Sequence, residues 1–525
     1  MRAQLEKREA LRVEEQVRLD LLKSAVERNE WGQFATPPAL AAEMAVYVRE
    51  LWRERSDKVM FLDPAIGTGS FFSALRKVDG HGWLASAAGI ELDANFAAAA
   101  ASLWAGEGLR VIAGDFTKLQ PPPAGERPNL ILTNPPYVRH HHLDQEDKVR
   151  LKTIASVIAG AEVSGLTGLY CYFMFLAHEW LADGGIGVWL VPSEFMDVNY
   201  GRAVQQYLAT RVKLLHVHRF NPQNVQFDDA LVSSAIVVYE KRKPAASHRV
   251  RFSYGGSLLK PELSESVPIR TLRESRKWSG FGRDAESVRH ERDNEATRLG
   301  SLFTVKRGIA TGANSFFILE RAEAERLGIS DDFLKPVLPS PRDLHETVIN
   351  ADRRGYPQVE NPLAVIDTNL SGAEIRAACP GLWQYLKRGE EQGIPDLYLA
   401  SKRTPWYRQE QRPAAPFLCT YMGRSGKDKA PFRFFWNRSR ATATNVYLLL
   451  YPIGPLKVAI EKQPRLLEKV FELLRGIESS ALLSEGRVYG GGLHKLEPAE
   501  LGNLDVSSFV KQLGVQIPHQ VSLFA

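Results

Sequence analysis

Between Val59 and about Lys241, short apolar runs alternate with stretches of helical periodicity. The runs are Val59 to Leu62, Ala87 to Leu92, Leu109 to Ala113, Leu130 to Thr133, Ile186 to Val191, Val212 to Val217 and Leu231 to Tyr239. Strands buried on both faces need continuous apolar runs of this kind, so the pattern predicts an α/β domain, doubly wound around a mostly parallel sheet. Ahead of it, Leu5, Leu11, Leu19, Leu22 and Val26 recur among charges and predict an amphipathic helix with a structural role. Past Lys241-Arg242-Lys243-Pro244 the alternation fades into a basic, polar stretch. The pattern divides the chain into an N-terminal helix (1–30), an α/β domain (31–245), a connector with some strand content (246–299) and a mixed α+β domain (300–525).

A length of 525 residues agrees with more than one core. No apolar run approaches the roughly 20 residues that cross a bilayer, and the charged start is unlike a signal peptide, so a cytoplasmic protein without a membrane partner is expected. Cys171, Cys379 and Cys419 lie far apart, in no disulfide framework or zinc spacing. His140, His141 and His142 are consecutive and cannot easily face one ion, so no metal is expected. A net charge of +6 with a pI near 9.0 is compatible with a polyanionic partner and decides nothing alone.

The candidate chemistry sits at strand ends. The first strand runs into Asp63-Pro64-Ala65-Ile66-Gly67-Thr68-Gly69-Ser70, where glycines at a strand-to-helix turn let a ligand approach the backbone. This is neither a dinucleotide fingerprint nor a Walker loop, and a nucleoside without phosphates fits better. The second strand ends in Gly89-Ile90-Glu91-Leu92-Asp93, an acid placed for ribose hydroxyls, and the third in Gly114-Asp115-Phe116, a carboxylate and a ring suited to adenine. After the fourth comes Asn134-Pro135-Pro136-Tyr137, which offers an amide oxygen, carbonyls and a flat ring to an amino group on a planar substrate.

Together these segments resemble the amino-methylating DNA methyltransferases that use S-adenosylmethionine (AdoMet), in particular the gamma-order adenine enzymes of type II restriction-modification systems. Gly32-Gln33-Phe34-Ala35-Thr36-Pro37-Pro38 is similar to the segment those enzymes place before the glycine loop. The resemblance implies that Thr36 and Pro37, with Asp63, Pro64, Ala65, Gly67 and Gly69, hold the methionine end of AdoMet. Glu91 would take the ribose and Asp115 with Phe116 the adenine, with Leu92 among the cofactor contacts and Asn134 bordering both cofactor and substrate. It also implies double-stranded DNA as substrate, a separate restriction endonuclease reading the same sequence, and a monomer acting on DNA.

An exocyclic amino nitrogen is a weak nucleophile because its lone pair is delocalised. Acceptors at the Asn134 side chain and the Pro135 carbonyl would draw it toward tetrahedral geometry, facing the methyl group. The target base must leave the duplex, to be held between Tyr137 and Phe227, with Phe220 the nearby competitor for the second face. No Pro-Cys nucleophile exists for methylation at a cytosine ring carbon. Methylation of the cytosine amino group, or of RNA or protein glutamine, remains the alternative; a catalytically silent DNA-binding module is disfavoured by the complete cofactor set.

Candidate DNA contacts are Arg139, beside the tetrapeptide, and Lys306, Arg307, Thr311 and Asn314 in a glycine-broken segment similar to the entry of a target-recognition domain. Lys402, Arg403 and Arg408 open a basic stretch to residue 440, interleaved with Trp406, Tyr407, Phe417, Tyr421, Phe432, Phe434, Phe435 and Trp436. This reads as a DNA-facing surface, with a solvated face over an aromatic core as the alternative.

Overall fold

The computed structural model describes residues 2–514 apart from 25–26, 29–30, 80–81, 139–143, 222–225, 227–232, 276, 283–296, 425–429 and 490–492. The chain forms two compact units that divide near residue 292.

The first unit is built on nine strands: β1 (Val59–Asp63), β2 (Leu84–Glu91), β3 (Leu109–Ala113), β4 (Leu130–Thr133), β5 (Ile186–Pro192), β6 (Lys213–Arg219), β7 (Ser234–Glu240), β8 (Arg249–Tyr254) and β9 (Leu263–Pro268). Their order is β3-β2-β1-β4-β5-β7-β6-β8-β9. From β3 to β5 every pairing is parallel, and β7 is inserted antiparallel between β5 and β6. The apolar runs of the sequence coincide with β1 to β7, and β4 and β5 are buried along their whole length. Because β1 continues toward β2 on one side and β4 on the other, the chain reverses direction of travel between β1 and β4. At such a switch point the loops after two neighbouring strands splay apart and leave a crevice at the carboxyl edge.

Within the stretch expected to be a connector with some strand content, Arg249–Tyr254 and Leu263–Pro268 add β8 and β9 to this sheet. In β8, Val250 and Phe252 are buried while Arg249 and Arg251 are exposed, so a strand with one wet face, next to the edge strand β9, reads as a polar stretch.

Helices Pro38–Leu51 and Ser70–Val78 pack together on the sheet, and helix Leu169–Trp180 brings Tyr170 to Phe175 into the same core. The glycine turn is fixed from beneath. Gly69 has φ +92°, and a Cβ there would stand 2.4 Å from Nε1 of Trp104, whose indole donates to the Thr68 carbonyl at 2.9 Å. Gly67 also has positive φ (+54°), yet a Cβ on it would meet nothing within 4 Å. Of the two glycines, Gly67 faces open space and Gly69 makes room for an indole. Gly69, assigned to the cofactor, thus supports the turn whose neighbouring residues Thr68 and Ser70 line the cavity described below.

The second unit holds a five-stranded sheet, Phe303–Arg307, Tyr447–Pro452, Phe417–Thr420, Phe434–Asn437 and Val348–Ile349 in spatial order, and two three-stranded sheets. Its main core collects Phe303, Phe417, Tyr421, Phe432, Phe434, Leu448 and Leu450 against Val470, Phe471 and Leu474 of helix Leu466–Arg475.

Gly69→Ala combines left-handed backbone, costing about 1–2 kcal/mol, with a clash against a buried indole. The melting midpoint of the first unit is expected to fall by about 5 °C, measured by calorimetry. Gly67→Ala, with room for its methyl, should lose only the backbone contribution.

Candidate active site

A cavity of about 590 Å³ opens at the switch point, within the range of about 300–1,000 Å³ of small-molecule sites. Its wall includes Thr36, Asp63, Pro64, Ala65, Gly67, Glu91, Leu92, Asp115, Phe116, Asn134 and Pro136. The structure thus brings together, from four strand ends, nearly all of the residues assigned to the cofactor. Pro37 caps the start of helix Pro38–Leu51 beside them.

Asp63 ends β1 and is almost fully buried. Its Oδ1 accepts from the Thr133 hydroxyl at 2.7 Å, across to the end of β4, and from the Ala65 amide at 3.0 Å. Burial pushes its carboxyl up to about 7, with the nearby Glu91 charge acting in the same direction. Glu91 ends β2, and its carboxylate accepts from the Gly67 and Asp93 amides, each at 2.9 Å. Burial raises it above its ordinary range. A carboxylate has about four acceptor positions, so one fixed by two amides still suits a diol. Leu92 is 60% exposed at the rim, an apolar side chain that a planar ring can cover. Asp115 is held by the Thr117 amide and hydroxyl at 2.9 and 2.7 Å, and Phe116 by Phe173 and Trp180 with centroids 5.0 and 5.2 Å apart.

Asn134 follows β4. Its Nδ2 donates to the Phe34 carbonyl at 2.9 Å and to the Thr36 hydroxyl at 3.1 Å. A carbonyl can only accept, so the amino side of the amide is fixed toward Phe34 and the oxygen is turned away. That Oδ1 is buried and has no hydrogen-bond partner among the described residues. The segment making these contacts is pinned a second time, because the Tyr137 amide donates to the Gly32 carbonyl at 3.1 Å. Gly32 has φ +59°, and a Cβ on it would lie 2.4 Å from the Tyr137 nitrogen, so only glycine permits the crossing. Gly32 and Phe34 as positioning groups escape a reading by motif, since backbone carbonyls leave no mark in side-chain identity.

Tyr137 differs from its expected place as an open stacking face. Its ring is buried against Phe34 and Tyr170, and its hydroxyl donates to the Leu190 carbonyl at 3.2 Å. Pro136 and Val138, not Tyr137, contribute to the cavity wall there. Phe220, the competitor for the second face, is also buried, edge-on to His218 with centroids 4.7 Å apart. Phe227, Arg139, His140, His141 and His142 lie outside the described residues.

The N-terminal helix, Arg2–Asp20, does more than pack. Gln16 and Asp20 line the cavity along with Trp31 and Gln33. In the second unit, Lys306, Arg307, Asn314, Lys402 and Arg408 are exposed. Thr311 is fully buried, its hydroxyl bound to Asn314 and capping the Ala313 amide, and Arg403 donates to the carbonyls of Ala310 and Thr311. Thr311 is therefore corrected from a DNA contact to an internal part of the turn, and Arg403, partly exposed, is anchored to the same turn. The aromatics of 401–440 are corrected likewise. Tyr407, Phe417, Tyr421, Phe432, Phe434 and Phe435 are buried, and Arg433 lies 5.0 Å over Phe435 while donating to the Leu344 carbonyl, so the alternation belongs to strands over a core.

The residues fit a cationic nucleoside cofactor: an open face at Gly67, anchored carboxylates at Asp63 and Glu91, and an apolar rim at Leu92. This fold and site define an AdoMet-dependent methyltransferase. The Eco57I restriction-modification methylase family model matches residues 126–226, and that of the C-terminal domain of the type II methyltransferase M.Eco57I matches 285–522. The chain is 27% identical over 486 residues to the type II methyltransferase M.XamI of Xanthomonas campestris pv. amaranthicola, covering 91% of this chain and 85% of that one. It is 25% identical over 405 residues to M.AccI of Acinetobacter calcoaceticus, covering 74% and 71%. The type IIL restriction-modification enzyme MmeI, solved in complex with DNA, shares the fold with a TM-score of 0.50 at 14% identity; the match covers 80% of this chain and 59% of that longer one. Together these matches support a DNA methyltransferase of a type II restriction-modification system.

With its carboxyl near 7, Asp63 is largely protonated below neutrality. A cationic cofactor favours the ionised form, so binding releases a proton there, and affinity for AdoMet is expected to rise between pH 6 and pH 8. Calorimetric titration in buffers of different ionisation enthalpy should find up to one proton released at pH 6. Asp63→Asn should flatten the dependence.

Proposed function

We propose that the protein is a sequence-specific DNA adenine methyltransferase that moves the methyl group of AdoMet to the exocyclic amino group of a flipped-out adenine. The observation that carries this reading is the buried, unpartnered Oδ1 of Asn134 on the wall of the cofactor cavity. An orphaned acceptor costs about 1–3 kcal/mol, and an arriving amino group relieves that cost. With the Pro135 carbonyl accepting the second amino hydrogen, the nitrogen lone pair is released from the ring and aimed at the methyl group. AdoMet supplies the methyl on a positively charged sulfonium. The protein's part is to orient the amino group and to exclude water; the proton is lost to solvent once the nitrogen is methylated.

Adenine is favoured over the cytosine amino group by Asn at position 134, which is the pattern of the adenine enzymes this tetrapeptide resembles. Flipping is required because an amino group inside a duplex cannot reach a buried acceptor. Phe227 is assigned to the second face of the extruded base, with Tyr137 moving to the first or supporting it from within the core. Exposed Lys306, Arg307, Asn314, Lys402 and Arg408 are assigned to DNA, together with Arg139. The protein is assigned to the cytoplasm, as a monomer and the protecting partner of a separate endonuclease; the relatives' type II methyltransferase names support the restriction-modification part of this assignment. Among the described residues no helix is long and apolar enough to cross a membrane.

The test is transfer of labelled methyl to unmethylated plasmid, with digestion of the product to nucleosides. Label is expected in N6-methyl-2′-deoxyadenosine and reduced about 10²–10³-fold by Asn134→Ala. Label in a methylcytosine would assign the cytosine amino group instead. No transfer to any DNA by wild type that binds AdoMet would refute the DNA reading.

Thr36→Val removes one of the two acceptors that turn the Asn134 amide. A net hydrogen bond is worth about 1 kcal/mol, so single-turnover transfer should slow roughly five- to tenfold, while AdoMet affinity changes less.

A further inference from the structure

Helix Arg2–Asp20 has few apolar anchors. Leu5 is buried, and Leu19 is buried against Phe96 and Ala99 of helix Ala94–Leu103, while most other positions are charged. What ties it to the glycine turn is polar and directional. Arg12, only 2% exposed, is held by both carboxylate oxygens of Glu9 at 2.7 and 2.8 Å. It donates to the Thr68 hydroxyl at 3.0 Å. Thr68, between the two glycines, donates in turn to Gln16 Oε1 at 2.8 Å. The Gln16 amide then donates to the Asp20 carboxylate at 3.0 and 3.1 Å. Each donor in the series fixes the orientation of the next group, and the series ends on two side chains that line the cavity.

One turn further on, Lys23 bonds Gln33 at 2.8 Å and Asp93 at 2.6 Å. Gln33 belongs to the segment that turns Asn134, and Asp93 caps helix Ala94–Leu103 after Glu91. The end of the first helix is thereby tied to the cavity on two further sides.

We propose that Gln16 and Asp20 form a subsite of the cofactor pocket carried by the N-terminal helix, in which the Asp20 carboxylate accepts from a donor group of AdoMet. The inference rests on the cofactor assignment and not on the identity of the methylated base. A carboxylate offers about four acceptor positions, and the α-ammonium, ribose hydroxyls and adenine amine of AdoMet are all donors. Helix docking and cofactor binding are then linked, each strengthening the other by the same factor. Thr68 acts as a positioning residue, because its hydroxyl joins the turn to the helix.

The experiment measures AdoMet binding by calorimetry, and amide hydrogen exchange over residues 5–20 with and without AdoMet, for wild type, Gln16→Ala, Asp20→Ala and Thr68→Val. A hydrogen bond to a charged group is worth about 1.5–3 kcal/mol, so Asp20→Ala should weaken AdoMet at least tenfold. Exchange over the helix should slow on binding in wild type and change little in the Asp20 variant. Gln16 is partly exposed, so Gln16→Ala should keep the melting midpoint without cofactor and still lose several-fold in affinity. Affinities within twofold of wild type for Gln16→Ala and Asp20→Ala, with no AdoMet-dependent protection of the helix, would overturn the subsite and leave the cofactor assignment standing. A wild type that binds no AdoMet would overturn both.

Discussion

The site depends on the direction in which one amide group points. Asn134 can present its oxygen to a substrate only because the Phe34 carbonyl and the Thr36 hydroxyl hold its nitrogen on the other side. That in turn requires residues 32–36 to cross the loop after β4 at backbone contact distance, which Gly32 permits and the Tyr137 amide secures. Two prolines after Asn134 remove backbone donors that could otherwise have satisfied the oxygen locally. The orphaned acceptor is thus a property of two chain segments about a hundred residues apart in sequence, and neither produces it alone.

The cofactor wall follows a related logic. Asp63, Glu91 and Asp115 stand at the ends of neighbouring parallel strands, and each is first tied to backbone amides or a threonine hydroxyl of its own loop or of the next one. Such ties fix the carboxylates before any ligand arrives, so little orientational freedom is left to lose on binding. Burial raises Asp63 and Glu91 at the same time. A pocket of this kind is uncomfortable with its own charges, and a cationic ligand relieves that discomfort.

The sheet was legible because buried parallel strands leave continuous apolar runs, and β1 to β7 fall on them. β8 and β9 were legible only as some strand content, since a strand with one wet face needs only every second residue to be apolar, and Arg249 and Arg251 occupy the wet positions of β8. At the site, side-chain identity pointed to Asp63, Glu91, Asp115 and Asn134, but could not show that Gly69 serves Trp104, that Thr36 serves Asn134, or that Gln16 reaches the cavity. These are contacts between distant segments. The second unit misled for a different reason: arginines beside aromatics look the same whether the rings face DNA or a core, and only strand register decides. Thr311 and Arg403 spend their polar groups on a turn that no spacing rule announces.

The inverted strand β7 has a consequence for how such a site can diversify. Because β6 runs with β5 and β7 runs against both, the chain leaves β6 and re-enters β7 at the edge where Asn134 lies. The Phe220 amide, bonded to the Ser234 carbonyl at 3.2 Å, draws the two ends together like a purse-string. Closing a loop costs only about 0.6 kcal/mol more for each doubling of its length. Residues 221–233 are therefore free to lengthen or shorten over generations with little penalty to the sheet. Asn134, held by Phe34 and Thr36, stays fixed through such changes.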